Sequence, residues 1–253
     1  MPIMPGAEPF TADGGPVAVL ISHGFTGTPQ GVRPLARALA EAGLTVRLPR
    51  LPGHGTNWQE LNRTRWQDWY SVLDRELTQL HRTCAHVVVA GLSMGGTLVT
   101  RLAQEHGPRV TGLVLINPVF RVDDPRMRAL PALQYLVGSL PGITNDIKKT
   151  DGDPELGYDR IPLRALHSQT QLWRTVIQDL PEVTQPVLLI RSQEDHVVPA
   201  SSAALFLSRV GSTEVTELVL TDSYHVATLD NDAPRIVEET LRFVGRVTGW
   251  PGP

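Results

Sequence analysis

Gly91-Leu92-Ser93-Met94-Gly95 sets a serine between two glycines, each two residues away. That is the spacing of the Gly-x-Ser-x-Gly elbow, in which small neighbours let a strand and a helix approach while the serine is forced into a strained backbone and offers its hydroxyl as a nucleophile. Three fixed residues of such common types meet by chance in about one chain in ten of this length. Context therefore decides between a nucleophile and a tight Gly-rich connection. His86-Val87-Val88-Val89-Ala90 reads as a buried strand before the serine, and Leu98, Leu102 and Ala103 carry an apolar helical face after it. Ser93 falls at a strand-to-helix junction, which favours the nucleophile.

A serine nucleophile needs a base, and the base needs an orienting carboxylate; in this setting they follow in the order Ser, Asp or Glu, His. Ser192-Gln193-Glu194-Asp195-His196 comes after the strand Val187-Arg191, at the edge where a parallel sheet presents its functional loops. Asp195 is favoured, with Glu194 as its competitor. His225 lies in the corresponding loop after the last strand, in Thr221-Asp222-Ser223-Tyr224-His225, where Asp222 reads as a turn residue. His196 adjoins Asp195 and reads as a loop residue, whereas His81, His86, His106 and His167 read as surface or packing residues. No pair of histidines has the H-E-x-x-H zinc spacing. The loop His23-Gly24-Phe25-Thr26-Gly27 after the first strand supplies a donor for a developing oxyanion. The expected pair is the backbone N–H of Phe25 and that of Met94, with His23 holding the loop in shape and His54 serving a structural role.

The elements that must hold these groups follow from periodicity. Val17-Ser22, Leu44-Leu48, His86-Ala90, Val110-Ile116, Val187-Arg191 and Val215-Leu220 read as strands alternating with helical patterns. This alternation predicts an α/β fold, a mostly parallel sheet with helices on both faces. Thr28-Pro29 signals a helix start, followed by the apolar set Val32, Leu35, Ala36, Leu39 and Ala40. Residues 119–185 break the rhythm; rich in Leu, Tyr and Trp, they read as an inserted helical cap on a core formed by 1–118 and 186–253. A net charge of −3, with 23 basic and 26 acidic residues, gives no footprint for nucleic acid. Cys84 is the only cysteine, which excludes an intrachain disulfide and a thiolate metal site. No segment has the roughly 20 apolar residues of a spanning helix, and the first residues lack a signal-peptide pattern, so a cytoplasmic location is expected.

Taken together, HGFTGTP, RPLA, LPRLPGHGT, GLSMGGTL, EDHVVP and SYHVATLD make the chain resemble the α/β-hydrolase superfamily, and within it the bacterial monoacylglycerol lipase and thermostable carboxylesterase group. The resemblance implies a Ser93-Asp195-His225 triad, an oxyanion hole from Phe25 and Met94, an inserted cap and no cofactor. It also implies a serine esterase or lipase acting on monoacylglycerols. The alternatives are a broad carboxylesterase, an esterase for acylated sugars or glycosides, a thioesterase, a carbon–carbon hydrolase, an acyltransferase, or a ligand receptor built on this scaffold. Glu155 matches an acidic position in related caps and is a candidate to accept hydrogen bonds from a polyol head group. Ile143, Leu136 and Leu130, with Met127, Leu133 and Val137, are candidates to line an apolar channel. An apolar cap surface would also suit transient contact with a membrane or pairing in a homodimer.

Overall fold

The computed structural model describes residues 2–252. In chain order the elements are β1 (Phe10–Ala12), β2 (Val17–Ser22), α1 (Arg33–Glu41), β3 (Thr45–Leu48), α2 (Trp58–Leu61), α3 (Trp66–Leu80), β4 (His86–Leu92), α4 (Met94–His106) and β5 (Gly112–Ile116). They continue with α5 (Leu130–Leu136), β6 (Ser139–Pro141), β7 (Arg160–Pro162), α6 (Leu163–Gln178), β8 (Val187–Ser192), α7 (Ala200–Leu207), β9 (Val215–Leu220) and α8 (Ala233–Thr248). Seven strands form one sheet in the order β1-β3-β2-β4-β5-β8-β9. All neighbours run parallel except β1, which lies antiparallel along β3.

The central strands are apolar at nearly every position because both faces are covered. Ala18, Leu20, Val87, Val89, Leu113, Leu115, Val187 and Leu189 turn to a layer containing α3, α4, α6 and α7. Their alternating neighbours Val19, Ile21, Val88, Ala90, Val114, Ile116, Leu188 and Ile190 meet α1 and α8 on the other face. Full burial of each large aliphatic side chain contributes about 1.5–3 kcal/mol before conformational entropy is charged against it. A one-residue slip of a strand would exchange its two faces, so the pattern also holds the register that aligns the functional loops.

Three expectations need adjustment. Thr28 caps a short 3₁₀ turn, Pro29–Val32, accepting from Gln30 N–H at 3.3 Å, and α1 starts only at Arg33. Val110 closes a turn instead of opening β5, donating its N–H to Gly107 O. The insertion is not helical throughout: β6 and β7 form a small antiparallel pair within it.

α6 ends the insertion and makes the crossover that lets β8 pair parallel with β5. It is packed into the core layer through Ala165, Leu172, Trp173 and Val176. Polar ties reinforce that seat: Trp66 N–H donates to Ser168 Oγ at 3.0 Å and Gln104 Nε2 to Val176 O at 2.9 Å. At its C-terminal end Asp179 pairs with Arg101 at 2.7 Å.

Candidate active site

β4, β5, β8 and β9 are consecutive in the sheet, so the loops at their C-terminal ends open side by side. Ser93 follows β4 at φ 55° and ψ −118°, outside the regions L-residues ordinarily occupy. Such a conformation costs on the order of 1–3 kcal/mol and persists only where its surroundings enforce it. The enforcement is steric. A Cβ on Gly91 would stand 2.3 Å from the backbone of Gly95, and one on Gly95 would stand 2.3 Å from Ser22 O. The turn is also tied down by hydrogen bonds from Ser93 N–H to Ile116 O at 2.9 Å and from Val119 N–H to Ser93 O at 3.3 Å.

Asp195 and His225 meet across adjacent loops, with Oδ2 of the carboxylate 2.8 Å from Nδ1 of the imidazole. The other oxygen, Oδ1, accepts Val197 N–H at 2.8 Å and Val198 N–H at 2.7 Å. Burial pushes the Asp195 pKa up, but the charge of His225, its hydrogen bond and the two N–H donors outweigh it, so the net shift is downward. For His225, burial works against the cation; Asp195 above all, then Glu155 and Asp146, overcome it and raise the pKa above its ordinary 6.5. Glu194, the competing carboxylate, faces His196 instead, 3.5 Å from Nε2.

The loop after β2 lies against the serine: a Cβ on Gly24 would come within 3.4 Å of Ser93 Cβ. His23 fixes this loop, with Nδ1 bonded to Gly24 O at 3.0 Å and Nε2 accepting Leu51 N–H at 3.1 Å. Accepting at Nε2 requires a neutral ring, and burial lowers its pKa to about 4. Phe25 is braced by aromatic contacts with His54 and Trp69, whose ring centroids lie 6.3 and 5.9 Å away. Among the described residues, neither Phe25 N–H nor Met94 N–H donates to a protein acceptor. Of these, Met94 N–H directly follows the serine at the positive end of α4, and Phe25 N–H belongs to the loop packed against it.

The insertion reaches the same edge. Glu155 Oε1 lies 2.8 Å from where a Gly27 Cβ would be, and Glu155 N–H donates to Asn145 Oδ1 at 3.0 Å. Burial is the main cause of its raised pKa, with His225 pulling in the opposite direction. The apolar candidates are not gathered together. Leu136 and Ile143 stand 83% and 61% exposed, outside any enclosed channel, while Leu130 is buried. Met127, Leu133 and Val137 are half-buried.

Asn117, Asp146, Asp230 and Tyr158 were not foreseen. Asn117, at φ 41°, ends β5; its Oδ1 accepts Ser192 N–H at 2.7 Å and its Nδ2 donates to His225 O at 2.8 Å. The only sequence hint was an Asn-Pro pair after an apolar strand, where asparagine tolerates positive φ. Tyr158 N–H donates to Thr26 O at 3.1 Å, and its hydroxyl donates to Gly53 O at 2.8 Å, joining the insertion to the loops after β2 and β3. Asp146 and Asp230 bind backbone N–H groups of the His225 loop. Among the described residues, no group of three or more His, Cys, Asp or Glu is gathered closely enough to hold a metal ion.

Comparisons with known proteins show what the chain is similar to. The profile of the Hydrolase_4 family, described as serine aminopeptidase S33, matches residues 16–232. A thermostable monoacylglycerol lipase of Bacillus sp. (strain H-257) is 43% identical over 249 residues, covering 98% of each chain. A carboxylesterase of Bacillus subtilis (strain 168) is 26% identical over 95% of this chain and 97% of its own. A structure from work on the metagenome-derived lipolytic enzymes LipS and LipT superposes with a TM-score of 0.93 at 40% identity, covering 97% of this chain and all of the other.

Proposed function

Because the chain belongs to the Hydrolase_4 family of α/β-hydrolases, and its 43% identical relative is a monoacylglycerol lipase, we propose that it hydrolyses monoacylglycerols to fatty acid and glycerol through Ser93, His225 and Asp195. The observation that carries the reading is the 2.8 Å Asp195–His225 hydrogen bond, at the same edge of the sheet as a serine held at φ 55°.

In the first step Ser93 Oγ attacks the ester carbonyl as His225 Nε2 takes its proton. Asp195 keeps the remaining proton on Nδ1 and stabilises the imidazolium. The carbonyl oxygen becomes an oxyanion that accepts hydrogen bonds from Phe25 and Met94 N–H. His225 then returns the proton to the departing glycerol oxygen, leaving an acyl-serine. Water, deprotonated by the same histidine, releases the fatty acid and restores the serine.

Residues 119–185 serve as the cap in this reading, with Glu155 accepting hydrogen bonds from the glycerol hydroxyls beside Gly27. Ile143 and Leu136, outward in this structure, meet the acyl chain or the lipid surface that delivers it, while Leu130 stays buried. Tyr135, Leu136 and Ile143, exposed apolar side chains of this segment, are the residues available for transient membrane contact or pairing with a second copy. No helix among the described residues is long and apolar enough to cross a membrane. A cytoplasmic setting belongs to the same proposal, in keeping with the single free cysteine, Cys84.

The test is multiple-turnover hydrolysis of monoacylglycerols of increasing chain length, alkyl esters, acylated glycosides and an acyl-CoA, with Ser93→Ala as control. Preference for monoacylglycerols supports the proposal, and a flat profile would replace it with a broad carboxylesterase. Glu155→Ala is expected to weaken glycerol-ester cleavage more than p-nitrophenyl-ester cleavage; equal effects would remove the head-group role.

A further inference from the structure

Asp146 belongs to the inserted segment, yet it binds both loops that carry the acid and the base. Its Oδ2 accepts His225 N–H at 3.1 Å and His196 N–H at 3.2 Å, and its Oδ1 accepts from His196 Nδ1 at 2.8 Å. Its own carbonyl accepts Val226 N–H at 3.0 Å. One side chain thus joins the residue next to Asp195 to His225 itself. The side chain is only 10% exposed, so water competes poorly for these donors. The surrounding chain strengthens the joint. Asp230 accepts Lys148 N–H at 2.7 Å, Lys149 N–H at 2.9 Å and Tyr224 N–H at 2.9 Å. The His196 ring stands edge-on to Tyr224 at 4.6 Å.

We propose that Asp146 is a positioning residue: from the insertion, it clamps the Asp195 and His225 loops at the separation their hydrogen bond requires. This rests on the triad reading above and extends it, because the cap then belongs to the catalytic frame as well as to substrate selection. A displacement of about 1 Å between reacting groups can cost about 100-fold in rate, so a clamp at this point acts on turnover. The charges that bear on His225 are Asp195, Glu155 and Asp146; His196 is faced by Asp146 and Glu194, with Lys148 over the adjoining Tyr224 ring.

The test compares Asp146→Ala, Asp146→Asn and Ser93→Ala on a short-chain p-nitrophenyl ester, with thermal unfolding and the pH dependence of kcat/KM recorded for each. Asp146→Ala is expected to lose at least about 10-fold in kcat with KM within about 2-fold. Asp146→Asn keeps a carbonyl oxygen for the N–H donors and is expected to recover most of kcat. Without the anion, its acid limb moves to lower pH. Wild-type kcat in the alanine variant, a loss confined to KM, or an asparagine variant no more active than the alanine one would each overturn the clamp. If the alanine variant fails to fold, Asp146→Ser, whose short hydroxyl cannot span both loops, takes its place with the same expected outcomes. Full activity in Ser93→Ala would instead overturn the triad and the clamp with it, which separates the two failures.

Discussion

Both oxygens of Asp195 are committed, one to His225 and the other to two backbone N–H groups. The Asp195→Asn amide fills the same space but cannot hold the imidazole in the tautomer the base requires. We expect kcat to fall about 10⁴-fold with KM little changed, measured by steady-state ester hydrolysis. The raised pKa of His225 has a direct signature. Its protonated form cannot act as base, so kcat/KM should fall with decreasing pH at a midpoint above the ordinary 6.5, and a midpoint below that value would contradict the assignment. The placing of Ser93, Asp195 and His225 in loops after β4, β8 and β9 was legible in the sequence because each sits in a short local pattern after a strand. Asn117 and Asp146 were not, since their partners lie 108 and 79 positions away for His225 alone. The Asn117-Pro118 pair hints at a turn but not at the partners, and nothing around Asp146 marks a carboxylate that works at such a distance.

The elbow between β4 and α4 is an element-scale device. Its glycines are required by space, and Gly95→Ala would drive a methyl group into the carbonyl of Ser22 on the neighbouring strand. Relief would need β2 and α4 to separate, so a loss of about 3 kcal/mol or more is expected, read from urea unfolding midpoints. An unchanged midpoint would mean that the junction can open without cost. Parallel strands announced themselves through runs such as Val87-Val88-Val89-Ala90, apolar on both faces. β1 did not: three residues on an edge, Phe10-Thr11-Ala12, pair by backbone bonds to β3 and carry little apolar signal. The β6–β7 pair was hidden for another reason, since Pro141 and Pro162 argue against strands in sequence and are tolerated here only because the ladder is short and isolated.

Across the whole molecule, His23 and His54 are buried as neutral rings, and burial lowers both pKa values, that of His23 to about 4. The unfolded chain protonates near 6.5, so below that pH it binds a proton that the folded chain refuses. The stability these rings support is complete above pH 6.5 and drains away as pH falls toward 4, by on the order of 3 kcal/mol for His23 alone. Urea midpoints measured across this window should decline steadily; a flat profile would show that the rings accept protons in the native state.

α6 carries a consequence for exchange of parts between related enzymes. Although it lies within the insertion, its apolar face completes the layer over β5 and β8, and its polar ties run to α3 and α4. A graft that replaces everything between β5 and β8 would strip a wall from the host. The portable module ends before Leu163, where chain geometry is set by the short β6–β7 pair. A donor segment cut there could bring a new substrate preference while the recipient keeps its own crossover, provided that the donor also supplies an acceptor in place of Asp146.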